Sequence, residues 1–422
     1  MWFKNLLFSN SVSGRIFLLM LVLIQIWKGI YPAITDVRSD FPNYYVSSKL
    51  LLEGKDLSGL YSNTTFNDLI HSYGIDQEGK FAPFPPPTAF IMLPIAGFQP
   101  ITAKRIWTSI NILLLYGGIV LFSKISKLNL QQSATLVLLS GVALFNNFYL
   151  GQVYLLVLFM WMLAWLRAEK RSGWSGLLLA FGIAIKYFPI VTLSAFLIRK
   201  NFKVIIATGL SLIGIALLSI IIVGIKPCND FINSVLFDHL NGKLEGQNPY
   251  AFAFQSWNSL ALNLFSKDAI INPNPVFDWP IGVVVLKIVV FAGLFSTLIY
   301  TFYKLKDHPD RSVYSVVFLS LFALAFSPAS ASYHLLLLLF PVAILFGLQK
   351  GNERFIAFLI CWLFIFGFSG IVFDFINSKI HFLPFQFYRL ILLNSFFLII
   401  STLIMKSSRH SVISSCPDSN RD

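Results

Sequence analysis

Charge is scarce in this chain: Asp, Glu, Lys and Arg together make up 12% of 422 residues, with six histidines and three cysteines. Soluble proteins carry about 25% charge. With 56% of residues apolar and a mean hydropathy of +0.72, soluble enzyme folds are excluded. Cys228, Cys361 and Cys416 lie far apart without CxxC spacing, so neither a disulfide framework nor a zinc site is signalled. No HExxH, GxSxG, Walker or Rossmann pattern occurs where its mechanism would need it, which argues against protease, hydrolase and ATPase chemistry. The net charge of +13 would suggest nucleic acid in a soluble protein. Here it is read as orientation in a bilayer, and nucleic acid is not an expected partner.

What the chain has in abundance is long apolar runs. A helix needs about 20 residues to cross a hydrocarbon core about 30 Å thick. Windows of that kind fall near 14–33, 105–123, 131–148, 150–167, 203–224, 281–303, 312–328, 333–349, 354–373 and 387–405, and none contains Asp or Glu. The first follows Lys4 and includes Arg15, as in a signal peptide, but no small-residue cleavage site follows, so it is expected to remain as an anchor. The segment 174–199 is interrupted at Lys186-Tyr187-Phe188-Pro189, and each half is short for a span. Such a break is tolerated at membrane depth only where protein or a water-filled cavity surrounds it. The expected fold is an all-α polytopic membrane bundle of about twelve transmembrane segments, counting the broken pair as two.

Sidedness follows from the short basic loops. Lys124, Lys127, Arg167, Lys170, Arg171, Arg199, Lys200, Lys203, Lys304, Lys306, Arg311, Lys350, Arg354, Lys406 and Arg409 all fall on one side if both termini are cytoplasmic. Two long loops, 34–104 and 225–280, then face the extracytoplasmic side of the inner (plasma) membrane, where the chemistry is expected. Residues 1–410 read as one integral membrane domain and 411–422 as a short cytoplasmic tail. The stretch 81–99 is apolar but broken by Pro83, Pro85, Pro86, Pro87 and Pro94, and is expected to be interfacial or re-entrant. The first loop otherwise predicts helices near 41–54 and 63–73.

With no carboxylate in any span, a general base must come from a loop. Asp36 and Asp40 sit just beyond the first helix, where a group can meet both a membrane-borne substrate and water, and Asp40 is the stronger candidate. Two roles are open to it, base and N-cap of the helix beginning at Phe41-Pro42. Lys186 at the break is either a phosphate anchor or a lysine snorkelling to headgroups. Amide-rich turns at Asn146 to Gln152 and at Gln255 to Asn258 suit sugar hydroxyls, because amides both donate and accept, and they also suit ordinary turns and interfacial belts. His334 lies at the mouth of a helix after an outward turn, where a lone histidine is more often structural.

In order, Asp40-Phe41-Pro42-Asn43-Tyr44-Tyr45, Phe84-Pro85-Pro86-Pro87, Asn147 to Gln152, Ala184 to Pro189, Gln255 to Ser259, Ser327-Pro328, His334 and Pro341 resemble the GT-C membrane glycosyltransferases, specifically family 87, the branch related to polyprenyl-phosphate-mannose-dependent mannosyltransferases. The resemblance implies a GT-C-type bundle and an inverting transfer of a hexose, mannose first, from a polyprenyl-phosphate donor to a glycan or glycolipid acceptor, with no nucleotide sugar needed. No cofactor is expected, and metal use is not indicated, because no second carboxylate recurs at ligand spacing on a neighbouring element, with Asp36 the one residue that leaves it open. It implies that Asp40 and His334 are catalytic and that Lys186 binds the donor phosphate. Tyr44, Tyr45, Asn147, Gln152, Gln255 and Asn258 would contact substrate. Two positions depart from the family's pattern: Phe84 stands where an aromatic hydroxyl is expected, and Tyr333-His334-Leu335 where many relatives pair two histidines.

Two rival classes are weighed against this reading. A twelve-helix transporter should show two similar halves, and no internal repeat is evident. A polyprenyl-linked oligosaccharide ligase or polymerase usually relies on arginines in a large outer loop, and 225–280 contains none.

Overall fold

The structure, a computed structural model, describes residues 12–38, 40–242, 246–348 and 353–413. Lys4, Lys350, the side chains of Arg354 and Arg409, and the tail beyond Ile413 lie outside the described residues. The chain is all-helical, with 75% helix and, among the described residues, no strands.

The first helix, α1 (Val12–Thr35), contains a π turn at Ile26–Ile30. Two shorter helices follow in the first loop, α2 (Phe41–Leu52) and α3 (Asn63–Ser72), close to the expected bounds. The proline-rich stretch forms only 3-10 turns, Pro86–Phe90 and Leu93–Ile95, because proline removes the donors that a longer helix needs. Next come α4 (Pro100–Ser126), α5 (Leu130–Leu138), α6 (Gly141–Tyr149), α7 (Tyr154–Arg167) and α8 (Ser172–Ile185). Pro100 opens α4 where its missing N–H costs nothing, and a capping box between Asn129 and Gln132 opens α5. After the break at Lys186, a 3-10 turn at Phe188–Thr192 leads into α9 (Leu193–Ile198) and then α10 (Phe202–Ile222).

The second long loop carries α11, residues 225–241, in which Ile225–Asp230 and Leu236–Asn241 flank a π turn at Phe231–Val235. It also carries α12 (Trp257–Phe265). The remainder is α13 (Ile281–Lys304), α14 (Arg311–Ala325), α15 (Leu339–Leu348) after a 3-10 turn at Ser332–Leu338, α16 (Glu353–Gly367), α17 (Gly370–Lys379) and α18 (Tyr388–Ile413).

Among the described residues, five helices are long and apolar enough to cross a membrane: α1, α4, α10, α13 and the stretch Tyr388–Lys406 of α18. The count reaches seven if the bent pairs α6–α7 (115°) and α16–α17 (60°) are each one span. On α10 the exposed residues Ile206, Leu210, Ile213 and Leu217 recur at helical spacing, while Val204, Thr208, Ile215 and Ser219 are buried. An apolar stripe facing outward on a helix this long is a surface for lipid tails. The protein core lies instead around α7, α14 and α15, where Trp161, Phe318 and Phe340 are fully or almost fully enclosed.

The window 131–148 is not one straight helix. It divides at Leu139-Ser140 into α5 and α6, and Gly141 adopts φ +43°. The Phe368 carbonyl comes so near that a Cβ on Gly141 would sit 2.6 Å from it, and Val142 N–H donates to that same oxygen. The donor at 142 is satisfied by a distant residue rather than by its own helix, which local apolar periodicity cannot reveal.

Candidate active site

Asp40 occupies the N-cap position of α2, yet its side chain makes no capping bond. Its Oδ2 instead accepts from Gln152 Nε2 at 2.8 Å, and Gln152 Oε1 accepts from the Tyr44 hydroxyl at 2.7 Å. Because Tyr44 donates to one end of the amide, the other end is oriented to donate to Asp40. Gly151 brings Gln152 there. Its φ is +70°, and a Cβ would fall 2.8 Å from both Lys104 Nζ and Phe41 Cβ, so a side chain would be strained and crowded. Trp107 Nε1 donates to the Gly151 carbonyl at 3.0 Å, and buried Lys104 donates to the Tyr149 carbonyl at 2.8 Å. These bonds secure the turn under the carboxylate.

Lys186 ends α8 in an extended conformation (φ −146°, ψ 116°), and Pro189 directs the following turn. Its Nζ lies 4.3 Å from the Phe84 ring centroid and 5.2 Å from that of Tyr154, so two aromatic faces partly offset the loss of water around the cation. His334 stands close by, with its ring 4.9 Å from Tyr154 and 6.0 Å from Phe188. Its Nδ1 accepts from the Ala331 N–H at 3.1 Å.

Asp40, Lys186 and His334 line one cavity of about 570 Å³. Lys80, Tyr333 and His239 share its polar end, whereas Ile183, Leu212, Ile215, Ile220, Ile232 and Leu240 line the rest. The carboxyl of Asp40 faces this cavity rather than bulk water. Desolvation pushes its pKa up, against the opposing pull of the Gln152 hydrogen bond and of Lys186, Lys104 and Lys80. Desolvation likewise pushes Lys80 down to about 8, and Asp40 counters it. His239 is pushed down to about 4, first by desolvation and then by Lys186 and Lys80. A cavity with a carboxylate, an ammonium and an imidazole at one end and an apolar wall beyond is suited to an amphiphile with an anionic head.

Comparison with protein families finds that residues 81–328 match glycosyltransferase family 87. The chain belongs to glycosyltransferase family 87. Comparison with curated proteins yields no match. The family-87 match includes Gln152 and Lys186, whereas Asp40, Lys80 and His334 lie outside it and join the site through the shared cavity alone.

In this family-87 glycosyltransferase, several residues expected to contact substrate lie off the cavity wall. Tyr44 and Gln152 stand behind Asp40 as just described. The Tyr45 hydroxyl donates to the Phe98 carbonyl at 2.8 Å. Asn147 donates to Asn111 and accepts from the Leu155 N–H. Gln255 donates to the carbonyls of Phe252 and Gln386 and accepts from the Arg389 N–H, which ties the second loop to α18. Asn258 Oδ1 accepts from Lys287 at 3.1 Å. Asp36 pairs with Arg38, half-exposed.

Sequence reasoning passed over Lys80 and His239. The one available signal was a lysine directly before the proline-rich stretch. His239 lay in a loop whose pattern gave no hint of what it would meet.

Proposed function

We propose that this glycosyltransferase transfers a hexose, mannose first, from a polyprenyl-phosphate carrier to a glycan or glycolipid acceptor with inversion at the anomeric carbon. The reaction is assigned to the extracytoplasmic side of the plasma membrane, with both termini cytoplasmic and about twelve crossings once the shorter apolar helices are included. The basic short loops support that orientation.

The single observation that carries the reading is that Asp40 and Lys186 open into one cavity that joins polar groups to a largely apolar wall. Among the described residues no ion pair joins them, and the cavity they line has a volume of about 570 Å³. The acceptor hydroxyl attacks the anomeric carbon as Asp40 takes its proton, and the bond from that carbon to the phosphate oxygen breaks. Lys186 stabilises the charge that grows on the departing phosphate, and the lipid chain lies along the apolar wall. With Nδ1 of His334 engaged by backbone, Nε2 is the nitrogen available to substrate.

Purified protein in nanodiscs, given radiolabelled polyprenyl-phosphate mannose, glucose and arabinose in turn, tests the assignment. Transfer from the mannose donor is expected, and Asp40→Asn should lower the rate by about 10²- to 10⁴-fold. Undiminished transfer by that variant removes Asp40 as base. Folded wild-type protein that uses none of the three donors overturns the donor class.

A further inference from the structure

Cleavage of a sugar–phosphate bond changes the charge on the carrier. A lipid phosphodiester bearing sugar has one negative charge, and the monoester left behind has close to two near pH 7, its second pKa being about 6. Groups that respond to the second charge act more strongly late in the reaction than on the bound donor, and this difference is what lowers a barrier.

The cavity holds a cation that the mechanism above does not use. Lys80 lines the same polar end as Lys186, and its Nζ is buried with no hydrogen-bond partner among the described residues. A buried ammonium without a partner is costly. Its backbone is tightly held: Lys80 N–H donates to Asn43 Oδ1 and Gly79 N–H to Asn67 Oδ1, each at 2.8 Å. Lys80 is therefore tied to both loop helices, α2 and α3. From the other loop, α11 contributes His239, which lies within electrostatic reach of Lys80, Lys186 and His334.

We propose that Lys80 and His239 join Lys186 in a three-point clamp that recognises the phosphate dianion of the spent lipid carrier in preference to the sugar-bearing monoanion. The inference rests on the polyprenyl-phosphate reading and deepens it. In the balanced step, the acceptor oxygen bonds to the anomeric carbon, the electron pair of the broken bond stays on the phosphate oxygen, and the acceptor proton goes to Asp40. Lys80 supplies the positive charge that meets the new negative one. His239, kept neutral first by burial and then by the two lysines, supplies a ring N–H as a hydrogen-bond donor. One consequence is inhibition by the released carrier, strongest where the phosphate is doubly ionised and Lys80 is still charged.

The test is binding of geranyl phosphate and of its methyl diester to the purified full chain, followed by calorimetry at pH 7.5. Wild type should prefer the monoester by about tenfold or more, as expected for one added charge-assisted contact. Lys80→Met should abolish that preference while changing diester affinity by less than about threefold, and Lys80→Arg should restore it. His239→Gln, which retains a donor, should bind the monoester more tightly than His239→Phe. The wild-type preference should fade between pH 7 and pH 5 as the monoester protonates. Equal losses for both probes in Lys80→Met, or no wild-type preference, overturn the clamp. Failure of wild type to bind either probe refutes the phosphate-carrier reading beneath it.

Discussion

Aspartate at the N-cap of a helix ordinarily satisfies free backbone N–H groups. Asp40 is at such a position and makes no such bond, so its carboxylate is available to the cavity while Gln152 fixes one oxygen. That hydrogen bond lowers the Asp40 pKa, which desolvation has raised. Gln152→Leu should therefore raise it further and move the acid limb of the kcat/KM profile to higher pH, measured with the donor at fixed saturation. An unmoved limb would show that the amide does not govern the base. In the wild type, activity should rise with pH as Asp40 ionises, starting above the range of an ordinary surface aspartate. It should decline through about pH 8 as Lys80 loses its proton. Lys186→Ala should cut the rate sharply without lowering expression, and an unchanged rate would return that lysine to a headgroup-seeking role. Asp40 and Lys186 were legible in the sequence because charged residues beside or within apolar runs have few places to go. Lys80 was not, since a lysine in a loop is ordinarily solvated, and only Asn43 and Asn67 turn it inward.

Among the elements, the turn from α6 into α7 decides whether the site exists. Gly151→Ala would force an L side chain into φ +70° against Phe41 and Lys104. The expected cost is about 1–3 kcal/mol of stability, read as a lower melting temperature in detergent, together with a loss of activity as Gln152 shifts. A melting temperature within error of wild type would mean that the turn adapts freely. The helices α2 and α3 were readable from their start and stop residues, and the break at Lys186 from the proline beyond it. The division of α5 from α6 was not readable, because the Phe368 carbonyl that receives the Val142 N–H comes from 226 residues further along the chain. Gln255 was expected as a sugar contact because amide side chains suit hydroxyls, and they suit loop-to-helix ties equally well, such as the one Gln255 makes to the start of α18.

For the whole molecule, the proposed orientation makes a direct prediction. With both termini cytoplasmic, a cysteine replacing Lys124 should react with a membrane-impermeant maleimide only from the cytoplasmic side, and one replacing Asp56 only from the other. Cysteines 228, 361 and 416 would be replaced first. Labelling of both from one side would invalidate the proposed topology and place the cavity on a different face. The membrane class and its apolar helices followed from composition and run length alone, because a stretch that must exchange water for lipid declares itself residue by residue. The cavity did not follow in that way. It brings together Asp40 from the first loop, Lys186 from a broken helix, His239 from the second loop and His334 from the turn before α15. Hydropathy is a local sum, whereas the meeting of a carboxylate with three cationic or imidazole groups depends on how distant segments pack, and that only the tertiary structure decided.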